Sequence, residues 1–158
     1  MTTDPFADRP WIYSKPPGQE NYKKWVEDWN TVILQVSERE NIHLINKMDL
    51  KQINPVNRLS EADFDSLIDE LMKKENYVYW GKGNIRVYWK SINAWANNLV
   101  EKANMIDKNI IFGLDALKTV DERMMSIPKS DQIKIMQTAV DQGKARWMEK
   151  ENQILKIL

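Results

Sequence analysis

The residues able to do bond-breaking chemistry are few and poorly spaced for it. One histidine, His43, sits between Ile42 and Leu44, where a packed structural ring is expected and not a general base. There is no cysteine, so thiolate nucleophiles, disulfides and thiolate zinc sites are excluded. No histidine pair or EF-hand spacing supplies another ligand set. Gly81-Lys82-Gly83 stands before strand-forming residues and not before a helix, which argues against a phosphate cradle. Carboxylates are numerous but fall on polar helix faces, where solvation is their default. The expectation is a protein with no catalytic residue, no cofactor and no metal, and so not an enzyme.

What remains is contact chemistry. Seven tryptophans in 158 residues exceed ordinary use. Large aromatics fill thin cores in small domains, and tryptophan also anchors protein interfaces. Four of the six prolines (Pro5, Pro10, Pro16, Pro17) lie in the first 18 residues together with Trp11, Ile12 and Tyr13. Proline fixes φ and removes donors, so this segment is expected to be an extended or polyproline-like arm. A merely solvated tail has no use for Trp11, Ile12 and Tyr13, so the first domain or a partner should cover them.

The elements behind the arm repeat a pattern. From Gln19 to Glu40, Trp25, Trp29, Val32, Ile33 and Val36 share one helical face, with Tyr22 a turn earlier. Ile42–Ile45 reads as a strand and Lys47–Ile53 as a short helix. Ser60 with Asp63 three residues on starts a helix whose inner face is Phe64, Leu67, Ile68, Leu71 and Met72. Tyr77–Trp80 and Ile85–Trp89 flank a glycine-containing turn and read as a hairpin. The order then recurs. A helix from Ser91 buries Ile92, Trp95, Ala96, Leu99 and Val100. Ile110–Phe112 makes a strand and Leu114–Val120 a short helix, followed by a loop from Asp121 to Ile127. Pro128 opens a helix with Ile133, Met136 and Val140 inward, which Gly143 stops. Ala145–Lys150 and Gln153–Leu158 close the second copy as a hairpin. The expected fold is α+β: an arm at 1–18 and two tandem winged-helix domains at 19–90 and 91–158, with no glycine-, serine- or proline-rich linker between the two.

A winged helix often binds DNA, with its third helix in the major groove. In the first domain that helix carries Glu61, Asp63, Asp65, Asp69 and Glu70, which phosphates would repel. The chain has 23 basic and 23 acidic residues, so no overall field draws an anionic polymer. The second domain is less hostile, with Lys129, Lys134, Lys144 and Arg146 against Asp131 and Asp141. Nucleic acid is therefore not expected as a partner. A transcription-type role through the second domain is the alternative, and a continuous basic stripe joining Lys129, Lys134 and Arg146 would mark it. No apolar run approaches the roughly 18 to 20 residues that span a bilayer, and Met1–Arg9 is unlike a signal peptide, so a cytoplasmic location is expected.

Taken together, these residues resemble the small subunit of ESCRT-II, the vacuolar protein sorting-associated protein 25 family. The resemblance runs through Pro10-Trp11-Ile12-Tyr13-Ser14-Lys15-Pro16-Pro17, the helix from Trp25 to Val36, and Leu67–Trp80 with Ile85–Trp95. It continues through Ile111-Phe112-Gly113-Leu114-Asp115-Ala116-Leu117 and the stretch from Lys144 to Leu158. It covers nearly the whole chain and implies a divergent member. It implies a scaffold for endosomal-type sorting and membrane remodelling at the multivesicular body, peripherally recruited to membranes through its complex. Pro10, Trp11, Tyr13, Pro16 and Pro17 would dock onto the larger ESCRT-II subunits. The second domain would recruit the nucleating ESCRT-III subunit, with Lys134, Lys144 and Arg146 as contacts. Where the family carries aromatics directly after the proline pair, this chain has Gly18-Gln19, which shifts the weight of docking to Trp11 and Tyr13. A short acidic insertion of the family's second domain is also reduced here.

Overall fold

In a computed structural model, residues 10–158 are described, and the chain divides between Trp89 and Lys90 into two compact units. The part of the expected arm before Pro10 lies outside the described residues. Both units are α+β, each built on one small three-stranded antiparallel sheet.

In the first unit, α1 (Gln19–Arg39) buries Trp25, Trp29, Val32, Ile33 and Val36, the face that the apolar spacing predicts. Strand β1 (Leu44–Asn46) leads directly into α2 (Lys47–Lys51), whose start is capped by the Asn46 side chain accepting from the Met48 amide at 2.9 Å. Helix α3 (Glu61–Leu71) begins at Ser60, whose hydroxyl accepts from the Asp63 amide at 3.2 Å. Its buried face is Phe64, Leu67, Ile68 and Leu71, with Met72 half-buried just beyond the helix. Strands β2 (Tyr77–Tyr79) and β3 (Asn84–Val87) form the hairpin, and β3 is central, in the order β1-β3-β2. The turn between them has φ of +87° at Gly81, +54° at Lys82 and +78° at Gly83. Glycine tolerates that region and lysine does so at some cost, which is why two of the three positions are glycine.

In the second unit, α4 (Ile92–Ile106) is capped by Ser91 and buries Trp95, Ala96, Leu99 and Ala103. Strand β4 (Ile111–Gly113) passes through a short 3-10 turn into α5 (Leu117–Val120). Asp121–Ile127, expected to be a plain loop, contains another 3-10 turn at Glu122–Met124 and buries Met124 and Ile127. Helix α6 (Lys129–Asp141) packs against α4, and β5 (Ala145–Glu149) and β6 (Ile154–Ile157) complete a sheet ordered β4-β6-β5.

The inner face of α6 differs from the expected one. Asp131, Ile135, Met136 and Ala139 are buried, while Ile133 and Val140 are only half-buried. Isoleucines at 133 and 135 leave the helical phase ambiguous, and packing against α4 goes with the phase that buries Ile135 and Ala139. Gly143, at φ +74°, ends α6: its amide bonds to the Val140 carbonyl at 2.9 Å and the Lys144 amide to Ala139 at 3.1 Å.

Candidate partner-docking site

The arm is built onto α1 through backbone chemistry that side-chain patterns do not reveal. Residues Pro10–Tyr13 make one turn of 3-10 helix and not the expected extended or polyproline-like conformation, closed by the Ser14 amide donating to the Trp11 carbonyl at 3.2 Å. The turn brings the Ile12 side chain into the core, where it is 5% exposed. It also aims the Ile12 carbonyl at α1, where two indole N–H groups donate to it: Trp25 Nε1 at 2.6 Å and Trp29 Nε1 at 3.0 Å. Tryptophans four apart share a helical face, so one carbonyl oxygen satisfies both buried donors with its two lone pairs.

Neighbouring residues hold the turn from the other side. Tyr13 meets Trp29 edge-on, with ring centroids 5.8 Å apart, and the Arg58 guanidinium lies 3.7 Å above the Tyr13 ring. Downstream, the Lys15 amide donates to Asp63 at 3.2 Å, and Lys15 Nζ stands 4.8 Å from the Tyr22 ring. Half-buried Pro16 and exposed Pro17 lead to Gly18, whose φ of +88° turns the chain into α1.

One aromatic is left outside. Trp11 is 66% exposed, unlike Trp25, Trp29 and Trp95, which are at most 2% exposed. That separation of Trp11 from the core tryptophans follows the sequence expectation. Trp11, Ile12, Ser14 and Pro16 line one wall of a groove of about 330 Å³, and Asn21, Lys24, Trp25 and Asp28 of α1 line the other. Of the five residues expected to dock, Trp11 and Pro17 face outward, Pro16 is half-buried and Tyr13 is engaged by the fold itself. The Ile12 carbonyl and Arg58 were invisible to sequence reasoning. The i, i+4 tryptophan pair is visible in the sequence, but nothing in its spacing shows where the indole N–H groups go.

The second set of expected contacts is spread over α6, the turn that follows it and β5. Lys134 lies on α6, with its ammonium 3.9 Å from the fully buried Asp131. Lys144 donates to Asn97 of α4 at 3.2 Å. Arg146 is on β5, beside Trp147, whose indole donates to Gln137 of α6 at 2.9 Å. Alternate residues of a strand face opposite sides. Trp147 therefore points toward α6 and Arg146 away from it.

Polar groups elsewhere have structural roles. His43 is 2% exposed, stacks on Trp89 at 5.1 Å and pairs its Nε2 with Asn41 at 2.8 Å. Asp121 is nearly buried, and burial alone would raise its pKa. Hydrogen bonds from Asn98 and the Arg123 amide, with the Lys102 ammonium 3.3 Å away, outweigh that and hold it below the ordinary 3.8. Burial raises the Tyr77 hydroxyl well above its usual range, and that hydroxyl donates to Asn30 at 2.7 Å. Among the described residues no cluster of three or more histidines or carboxylates could hold a metal ion, and no helix is long and apolar enough to cross a membrane.

These elements define a class: a small α+β protein of two units, each adding a C-terminal hairpin to a short strand. No protein-family model and no curated protein sequence matches the chain. Solved structures do. The crystal structure of subunit VPS25 of the endosomal trafficking complex ESCRT-II has the same fold, with a TM-score of 0.69 at 17% identity over 97% of this chain and 96% of that one. A chain in the structure of the ESCRT-II endosomal trafficking complex matches at 0.69 and 18% identity, covering 98% of each. A chain in the crystal structure of endosomal complex ESCRT-II (VPS22/VPS25/VPS36) matches at 0.66 and 17% identity, over 98% of this chain and 97% of that one. The chain thus has a VPS25-like fold over nearly all of its length, at identities that speak for fold alone.

Proposed function

We propose that this protein is a non-enzymatic scaffold subunit of an ESCRT-II-like complex, acting in membrane remodelling and endosomal-type protein sorting. Its two units are read as tandem winged-helix domains, 19–90 and 91–158, with the preceding segment as the docking arm. The observation that carries the reading is the likeness to VPS25 over 97% of this chain and 96% of that one.

In this reading the arm and first domain attach the chain to larger ESCRT-II subunits. Trp11 supplies the anchor, because a large exposed indole on an otherwise ordered turn is the kind of residue that dominates interfaces. Pro10, Pro16 and Pro17 join it as docking residues, with Tyr13 held against Trp29 and Arg58. The second domain recruits an ESCRT-III subunit, offering Lys134, Lys144 and Arg146 to an acidic amphipathic helix. The complex is cytoplasmic and meets membranes peripherally.

The test is co-expression of the full chain with candidate larger subunits of the VPS22 and VPS36 type, followed by size-exclusion chromatography. Co-elution of the wild-type chain, and its loss with Trp11→Ala, supports the reading. Separate elution of the wild-type chain from every candidate contradicts it.

A further inference from the structure

The sheet of the second unit has an outward face that the scaffold reading does not use. Its central pairing sets Arg146 of β5 directly opposite Lys156 of β6, and Lys156 directly opposite Ile111 of β4. The rows on either side, Phe112-Leu155-Trp147 and Ala145-Ile157, turn inward and are mostly buried. Arg146, Lys156 and Ile111 therefore share the side away from α4 and α6. Ile111 is 53% exposed there, and Leu158, two residues beyond Lys156, is 56% exposed. Met148, at the β5 irregularity, is also exposed. Glu149, at the turn end, is the one carboxylate that strand register places on this face.

Directly opposed cross-strand residues have their Cβ atoms about 4.5–5.5 Å apart, and like charges in that relation destabilise a sheet. Neither Arg146 nor Lys156 has an ion-pair partner among the described residues. The fold thus carries two repelling cations side by side, flanked by exposed aliphatic side chains. An acidic helix would seek a groove. A sheet face presenting cations and aliphatics together fits a flat partner that offers anions and an apolar layer at once.

We infer that this face is a direct contact surface for an anionic lipid bilayer, with Arg146 and Lys156 on the headgroups and Ile111 and Leu158 entering the interfacial layer. It goes beyond the scaffold reading, in which the membrane is reached only through the complex, and it gives Arg146 a lipid role.

The test is sedimentation of the full-length chain with vesicles of phosphatidylcholine alone or with about one-third phosphatidylserine. The wild-type chain should sediment with the anionic vesicles, less so as salt rises, and not with the neutral ones. The Arg146→Ala/Lys156→Ala variant should lose about thirtyfold in partition coefficient while melting no lower than wild type, since a like-charge repulsion is gone. Ile111→Ser should also weaken partition, and Lys82→Ala, on the hairpin turn of the first unit, should not. Equal partition onto neutral and anionic vesicles, or a double variant that binds like wild type, overturns the inference. So does a double variant that loses affinity for an acidic amphipathic peptide while keeping the vesicles.

Discussion

The Ile12 carbonyl concentrates the logic of the first unit in one atom. Trp29 is fully buried and donates to that oxygen, whereas Trp11, one residue before it, presents its ring to solvent. Trp29→Ala removes a large core aromatic and strands polar groups, which should cost roughly 3–5 kcal/mol and leave much of the protein unfolded in a thermal melt. Trp11→Ala should leave the melting temperature within a degree or two. A buried carboxylate gives a second residue-scale test. Asp121 is held below its ordinary pKa of 3.8, so the folded state binds this proton less readily than the unfolded chain does. Its contribution is therefore complete above about pH 5 and fades as pH falls through the folded value. Asp121→Asn should be less stable than wild type at pH 7, by about 1–3 kcal/mol, and the gap should narrow below pH 4. Urea midpoints across that range would check it; a gap that widens on acidification contradicts the assignment.

At the scale of elements, periodicity carries far and then stops. The buried faces of α1 and α3 are apolar stripes with one phase, and both read correctly from residue types. Helix α6 offers Ile133 and Ile135 as rival phases, and packing against α4 decides between them. The arm resisted the reading for another reason: Pro10, Pro16 and Pro17 argue for extension, yet two indole donors waiting on α1 reward a turn at residues 10–13. Nothing local marks Arg86 as buried either, though it is, with Nη1 donating to the His43 and Val87 carbonyls at 3.2 and 2.7 Å. Sequence patterns record apolar faces well and the destinations of polar groups poorly, because a hydrogen-bond partner can lie anywhere in the chain. The Ile12 carbonyl shared by Trp25 and Trp29 predicts a local effect. Trp25→Phe/Trp29→Phe keeps aromatic rings in the core but removes both donors, so chymotrypsin should cut after Trp11 or Tyr13 faster than in wild type, while amides of α3 keep their hydrogen-exchange protection. Equal cleavage rates would mean the indoles do not fix the arm.

At the scale of the molecule, charge and fold point the same way. The chain balances 23 acidic against 23 basic residues, and α3 presents carboxylates where a DNA-reading helix needs cations. Duplex nucleic acid should therefore bind no more tightly than about micromolar at physiological salt, the range of non-specific contact. A salt titration followed by fluorescence anisotropy would expose tighter binding if it exists. The central claim is assembly into an ESCRT-II-like complex through an ordered arm whose anchor is Trp11. Its most direct test is calorimetric titration of the full chain, wild type and Trp11→Ala, into a purified larger subunit of the VPS22 or VPS36 type. The account predicts saturable binding by wild type and a loss of about 2–4 kcal/mol for the variant, as for a hot-spot tryptophan, with melting temperatures unchanged. Wild-type binding that Trp11→Ala leaves intact, or no wild-type binding at all, would contradict it.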